Sequence, residues 1–161
     1  MIRGVGSGSR ADDQLGLPNV SFEAQGPMLL ESLCERPRKP VSLPLTADNE
    51  GILRTDWAPL LAILADRGLT MSYRAEVFHA SLAAAILQQA IAVRESYGDI
   101  RIGLSGGVFQ NDVLTSQAVK LLRNSGFDVF VPEQLPCNDA ALSFGQVAEI
   151  AARDEEFGEH G

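Results

Sequence analysis

The sequence predicts an α/β fold in which helices pack on a small mixed sheet. Three observations carry that reading: a long helix with an apolar stripe over 72–97, a short buried strand directly after it, and a second helix–strand pair leading into a final helix. The order helix–strand–helix–strand–helix favours parallel pairing, because an intervening helix brings the chain back to the same end of the sheet. The 161 residues make one domain, or a large piece of one, with enough chain to bury a core.

Residues 1–20 are rich in Gly, Ser and Asp without a period, and are expected to be a poorly ordered or truncated lead-in. The structured body is expected over 21–152, with an acidic tail over 153–161. Ser21 is a candidate N-cap for a helix carrying Phe22, Met28, Leu29 and Leu33. Pro27 interrupts it, at about 3 kcal/mol in a helix interior, so a start near Pro27 is expected. Val41, Leu43 and Leu45 then alternate, and Asn49-Glu50-Gly51 offers a turn before Ile52 and Leu53, which reads as a β-hairpin. Asp56 caps a short helix with Pro59 in its first turn and Gly68 past its end.

The long helix follows. Phe78, Leu82, Ile86, Ala90 and Val93 recur at helical spacing, and Gly98 stops it. A strand over 100–104 leads to Ser105-Gly106-Gly107, and a helix over 111–124 turns Leu114, Ala118, Leu121 and Leu122 inward. Gly126 ends that helix, 127–131 forms the second strand, and Asn138 or Asp139 opens the last helix, which runs to about 152. No internal repeat is visible.

Composition narrows the function. The net charge of −8 repels phosphate backbones and anionic lipid, so neither nucleic acid nor a membrane is expected as partner. The most apolar run, 80–93, is broken by Gln88 and Gln89, and no stretch is expected to span a bilayer. The first residues lack the apolar core of a signal peptide. Cys34 and Cys137 stand far apart, in no metal-type spacing, and read as free thiols of a cytoplasmic protein.

Gly106-Gly107 sits where a strand hands over to a helix. Glycines allow close backbone approach, and a helix start offers unpaired N–H donors, so the turn suits phosphate or carboxylate. A tight structural turn explains the same spacing equally well. Gly103-Leu104-Ser105-Gly106-Gly107 also matches G-x-S-x-G, which makes Ser105 a candidate hydrolase nucleophile. That reading needs an acid such as Asp128 or Asp139 and a later histidine, and His160 is the only one downstream. Asp139 reads first as a helix cap and second as a metal ligand. His79, with no second histidine at helical spacing, reads as a packed or surface residue rather than a ligand, and Cys137 has no evident base.

Four segments together carry a resemblance: Val20-Ser21-Phe22-Glu23-Ala24-Gln25-Gly26-Pro27-Met28, Phe78-His79-Ala80-Ser81-Leu82-Ala83, Leu104-Ser105-Gly106-Gly107-Val108-Phe109-Gln110-Asn111, and Pro136-Cys137-Asn138-Asp139-Ala140-Ala141-Leu142-Ser143-Phe144-Gly145-Gln146. They resemble the ordered motifs of HypF-type carbamoyltransferases, over about residues 15–152. The resemblance implies the C-terminal lobe of an actin-like ATPase domain, related to the enzymes that build threonylcarbamoyl-adenosine in tRNA. In that family carbamoyl phosphate and ATP give carbamoyl-adenylate, and the carbamoyl group passes to the C-terminal cysteine of the partner HypE. By that likeness the Ser105-Gly106-Gly107 turn lies against the nucleotide phosphates, Asn111 helps hold the nucleoside, and Asp139 is a metal ligand.

Departures accompany the likeness. No histidine precedes His79, so a divalent metal is expected only if the family's upstream histidines are supplied. Gly8-Ser9-Arg10-Ala11-Asp12-Asp13 stands where the family has G-R-L-F-D-A, and Ala140-Ala141 replaces Gly-Gly. The chain thus reads as about half of a transferase cleft, with a HypE-like acceptor and either the missing N-terminal portion or a second copy of itself as partners. Two other classes stay open: a non-catalytic paralogue serving as a binding module, and the Ser105 hydrolase.

Overall fold

A computed structural model describes residues 22, 24–133 and 135–158, with 154–158 described by backbone alone. The lead-in over 1–20, the Ser21 cap and His160 lie outside the described residues. Helix α1 (Gln25–Ser32) begins after Ala24, which adopts a left-handed φ of 66°. Pro27 falls in its first turn, where an N–H has no partner within the helix, so the helix starts ahead of the proline rather than at it.

The hairpin forms as its turn residues require. Strands β1 (Leu45–Ala47) and β2 (Leu53–Thr55) run antiparallel with Leu45 opposite Thr55. Asp48 organises the turn: its Oδ1 accepts from the N–H groups of Glu50 and Ile52 at 3.0 and 2.9 Å, and its Oδ2 from Arg54 Nε at 2.8 Å. Helix α2 (Ala58–Ala65) follows, with Asp56 Oδ1 accepting from the Ala58 N–H at 2.9 Å.

Helix α3 (Met71–Tyr97) is the spine. Thr70 Oγ1 caps it by accepting from the Tyr73 N–H at 3.2 Å, and Gly98 ends it at φ 83°. It buries two faces rather than the single stripe the sequence predicts. Val77 and Ala85 pack with Leu43 and Leu60 on one side. Ala83 and Ala90 pack with Leu104, Leu114, Ala118, Leu122, Phe127 and Val129 on the other. Alanines make this two-sided packing feasible, because small side chains let neighbouring elements approach closely. By length and composition α3 could cross a membrane, contrary to the sequence expectation. Here it carries buried Glu76 and His79 and forms the centre of both apolar clusters.

Polar groups on α3 also staple the preceding segment to it. Buried Glu76 accepts from the N–H groups of Glu35 and Arg36 at 3.1 and 2.9 Å and from Arg38 Nε at 2.6 Å. Ser81 Oγ accepts from the Val41 N–H at 3.0 Å and donates to the Val77 carbonyl at 2.7 Å.

Strands β3 (Arg101–Gly103) and β4 (Asp128–Phe130) pair in parallel with Arg101 opposite Asp128, as the helix–strand alternation predicts. The parallel and antiparallel pairs form two separate two-stranded sheets among the described residues. Between β3 and α4 (Asp112–Asn124) lies a 3₁₀ turn, Gly107–Gln110, so α4 does not follow the glycines directly. A second 3₁₀ turn, Asp139–Ala141, leads into α5 (Leu142–Gly158), which continues through part of the expected tail and exposes Leu142, Phe144, Val147 and Ile150.

Candidate functional site

The glycine turn stands at the carboxyl end of β3, the end at which open α/β sheets bind ligands. Leu104 extends the strand pairing by donating its N–H to the Phe130 carbonyl at 2.9 Å. Ser105 is then exposed, and Gly106 takes φ 111°, a backbone conformation that disfavours any side chain. A Cβ added at Gly106 or Gly107 would meet no heavy atom within 4 Å, so the turn faces open space. The Gly106 N–H donates to the Cys137 carbonyl, which ties the glycine turn to the Pro136-Cys137-Asn138-Asp139 segment. Two of the four segments that carry the resemblance therefore meet in the fold. That bond also uses up the Gly106 N–H, so Gly106 can admit a ligand closely but does not offer it this donor.

The start of α4 differs from the sequence expectation. Its first N–H groups are not open to a ligand, because the protein's own side chains take them. Asn111 Oδ1 accepts from the Leu114 N–H at 2.8 Å. Glu31 Oε1, from the end of α1, accepts from the Asp112 and Val113 N–H groups at 2.6 and 3.3 Å. A carboxylate at a helix N-terminus satisfies both the orphan donors and the positive end of the dipole.

His79 joins this cluster and is packed, at 1% exposed. Its Nδ1 lies 2.8 Å from the Ala75 carbonyl and 3.3 Å from Cys34 Sγ, and its Nε2 lies 2.9 Å from Asn111 Nδ2. Phe78 meets its ring edge to face at 5.4 Å. The Cys34 thiol is pushed up to about 11, first by burial and then by the negative charges of Glu76 and Glu31. It is therefore a poor nucleophile near neutral pH. Sequence spacing does not reveal this cluster, whose members come from α1 and the residues just after it, α3 and the start of α4; the one visible sign is that Glu76 and His79 interrupt otherwise apolar positions.

Asp139 is exposed and opens the 3₁₀ turn, while the cap itself is Asn138, whose Oδ1 accepts from the Ala140 N–H at 3.1 Å. Among the described residues no group of three or more His, Cys, Asp or Glu side chains stands together as a metal site requires. One exposed carboxylate does not fit a resident metal ion. Nor does the Ser105 elbow find a base in His79, because both ring nitrogens of His79 are engaged elsewhere.

Two cavities flank the β3–β4 pair. One of about 640 Å³ lies at the amino ends of the strands, with Arg94, Arg101, Arg123, Asp99 and Asp128 around it, so Asp128 stands away from Ser105 at the opposite end of the strands, and the cavity holds none of the predicted nucleotide or metal residues. Arg94 is held there over the Phe127 ring at 4.0 Å and donates to the Ser125 carbonyl at 2.9 Å. The other, about 440 Å³, is an apolar groove along β3 lined by Trp57, Leu82, Ile86, Val93, Ile100 and Ile102.

Comparison with known proteins agrees with the motifs. A family described as "Carbamoyltransferase, Kae1-like Domain, second subdomain" matches residues 15–146. A carbamoyltransferase HypF of Synechocystis is 36% identical over 144 residues, covering 86% of this chain and 18% of that protein. A HypF homologue of Cupriavidus necator is 32% identical, covering 81% of this chain and 35% of its own length. Among solved structures, full-length HypF in a phosphate- and nucleotide-bound form superposes with a TM-score of 0.73 at 32% identity, over 79% of this chain and 17% of that one. The HypF of T. kodakarensis, at 24% identity and a TM-score of 0.60 over 74% of this chain and 16% of that one, shares the fold. The chain thus spans under a fifth of the Synechocystis relative and of both solved structures, and about a third of the Cupriavidus homologue.

Proposed function

The chain belongs to the HypF-type carbamoyltransferase family, within the second subdomain of its Kae1-like domain, and from that premise we propose that it forms one wall of a nucleotide-dependent carbamoyl-transfer cleft used in nickel–iron hydrogenase maturation. The observation that carries the reading is the open glycine turn at the carboxyl end of β3, bonded through Gly106 to the Cys137 segment. Phosphates of ATP or carbamoyl-adenylate would lie against Gly107, where no side chain intrudes. Asn111 would contact the nucleoside. The carbamoyl carbon of carbamoyl-adenylate would then be attacked by a cysteine thiolate of a HypE-like acceptor, forming a C–S bond as AMP departs.

The chain supplies one wall only. A metal would need ligands from the preceding portion of the domain in addition to Asp139. That portion, we infer, docks along β3. A parallel pair of two strands is below the size that is stable alone, and parallel sheets are normally covered on both faces. The apolar groove beside β3, with Trp57 44% exposed, gives the added strands a surface to bury. Both cysteines are free, which suits a reducing cytoplasm.

The test is nucleotide affinity after reconstitution with the preceding portion of a HypF. Gly107→Val should abolish ATP binding while leaving the circular dichroism unchanged, since its Cβ enters open space. A folded Gly107→Val protein that binds ATP as the wild type does would remove the assignment.

A further inference from the structure

The role of His79 follows from hydrogen-bond chemistry. A carbonyl can only accept, so the 2.8 Å contact to Ala75 places the proton on Nδ1 and leaves Nε2 as an acceptor. The Leu114 N–H can only donate, so it fixes Asn111 Oδ1 at the helix start and turns Asn111 Nδ2 toward His79. The two assignments agree: Nδ2–H donates to Nε2 at 2.9 Å. Neither group can rotate or change tautomer alone without setting two donors or two acceptors face to face. The ring is 1% exposed and held edge-on by Phe78, so water cannot substitute for either partner.

We propose that His79 is a positioning residue that locks the Asn111 amide in one orientation, with its oxygen capping α4 and one N–H left for the nucleoside. This rests on the nucleotide reading above and adds to it a residue that touches no ligand. Asn111 alone has a nearly symmetric amide, whose flip would lose the cap and present an oxygen in place of the N–H. The Leu114 N–H opposes that flip from the oxygen side and His79 from the nitrogen side.

Nitrogen-15 spectroscopy and nucleotide titration test it together. In the wild-type chain His79 should show a protonated Nδ1 and an unprotonated Nε2, and the Asn111 side-chain amide protons should resonate away from the solvent-exposed positions and exchange slowly with water. In His79→Ala those signals should collapse toward the solvent-exposed pattern. ATP affinity of the reconstituted protein should fall about tenfold, the loss expected when one positioned hydrogen bond is released. His79→Gln, whose side-chain oxygen can accept the same N–H, should recover most of both. Gly107→Val should abolish ATP binding and leave the Asn111 signals unmoved, which separates the two assignments. A wild type that binds no ATP overturns the nucleotide reading, and the amide signals still decide the part of His79. Unchanged Asn111 signals in His79→Ala, or a protonated Nε2 in the wild type, would overturn the positioning role.

Discussion

Glu76 shows what a single buried charge does in this fold. Arg38 holds its carboxylate below the usual range, burial opposes that, and the Glu35 and Arg36 N–H groups add to the lowering. A depressed acid contributes stability above its unfolded-state value and loses it as pH falls through the folded-state value. Glu76→Gln should therefore destabilise the chain by about 2 kcal/mol at neutral pH, the scale of a lost charged hydrogen bond. Urea titrations should show that difference shrinking as the pH is lowered through the acid range. Ser105 gives the opposite case, a residue singled out by motif that finds no base in His79. A fluorophosphonate probe should leave it unlabelled, and stoichiometric labelling lost in Ser105→Ala would restore the hydrolase reading. At this scale the sequence shows which residues are chemically capable but not whom they meet. Asn111 was legible as a helix start, while its bond to His79 spans 32 positions and leaves no periodic trace.

Elements were read more securely than contacts. The hairpin, α3, the parallel pair and α4 follow from turn residues, apolar spacing and glycine stops, all of which act over a few neighbours. The boundary at the glycine turn did not. A 3₁₀ turn and a 2.6 Å bond from Glu31 to the Asp112 N–H, across 81 positions, decide how α4 begins. That cap predicts a modest stability effect. Glu31→Ala should cost about 1 kcal/mol, as expected for a carboxylate removed from a helix N-terminus, and raised salt should reduce the cost. Denaturant midpoints at low and high ionic strength would check it. Leu122, fully buried between α3 and the parallel strands, should cost far more on truncation: about 3 kcal/mol for Leu122→Ala. The two-faced burial of α3 escaped the sequence because alanine is compatible with either a buried or an exposed face.

At the scale of the whole molecule, the proposal is that one wall of a cleft folds around its own core while the ligand face stays open. The core around α3 is closed, while the groove beside β3, the face of α5 and the open side of the glycine turn are exposed. Under the cleft proposal, the four segments that carry the resemblance contain one candidate metal ligand, Asp139. Asp139 alone should hold no stoichiometric metal in the purified chain, because affinity requires several converging ligands. Metal bound after reconstitution should be lost in Asp139→Ala, as elemental analysis would show. Whether this chain is one wall of a nucleotide cleft completed by the preceding portion of the domain is decided by calorimetric titration of ATP. The chain alone should show no saturable binding, and the complex with the preceding portion should bind one nucleotide saturably. Equal binding by the chain alone, or none by the complex, would contradict it.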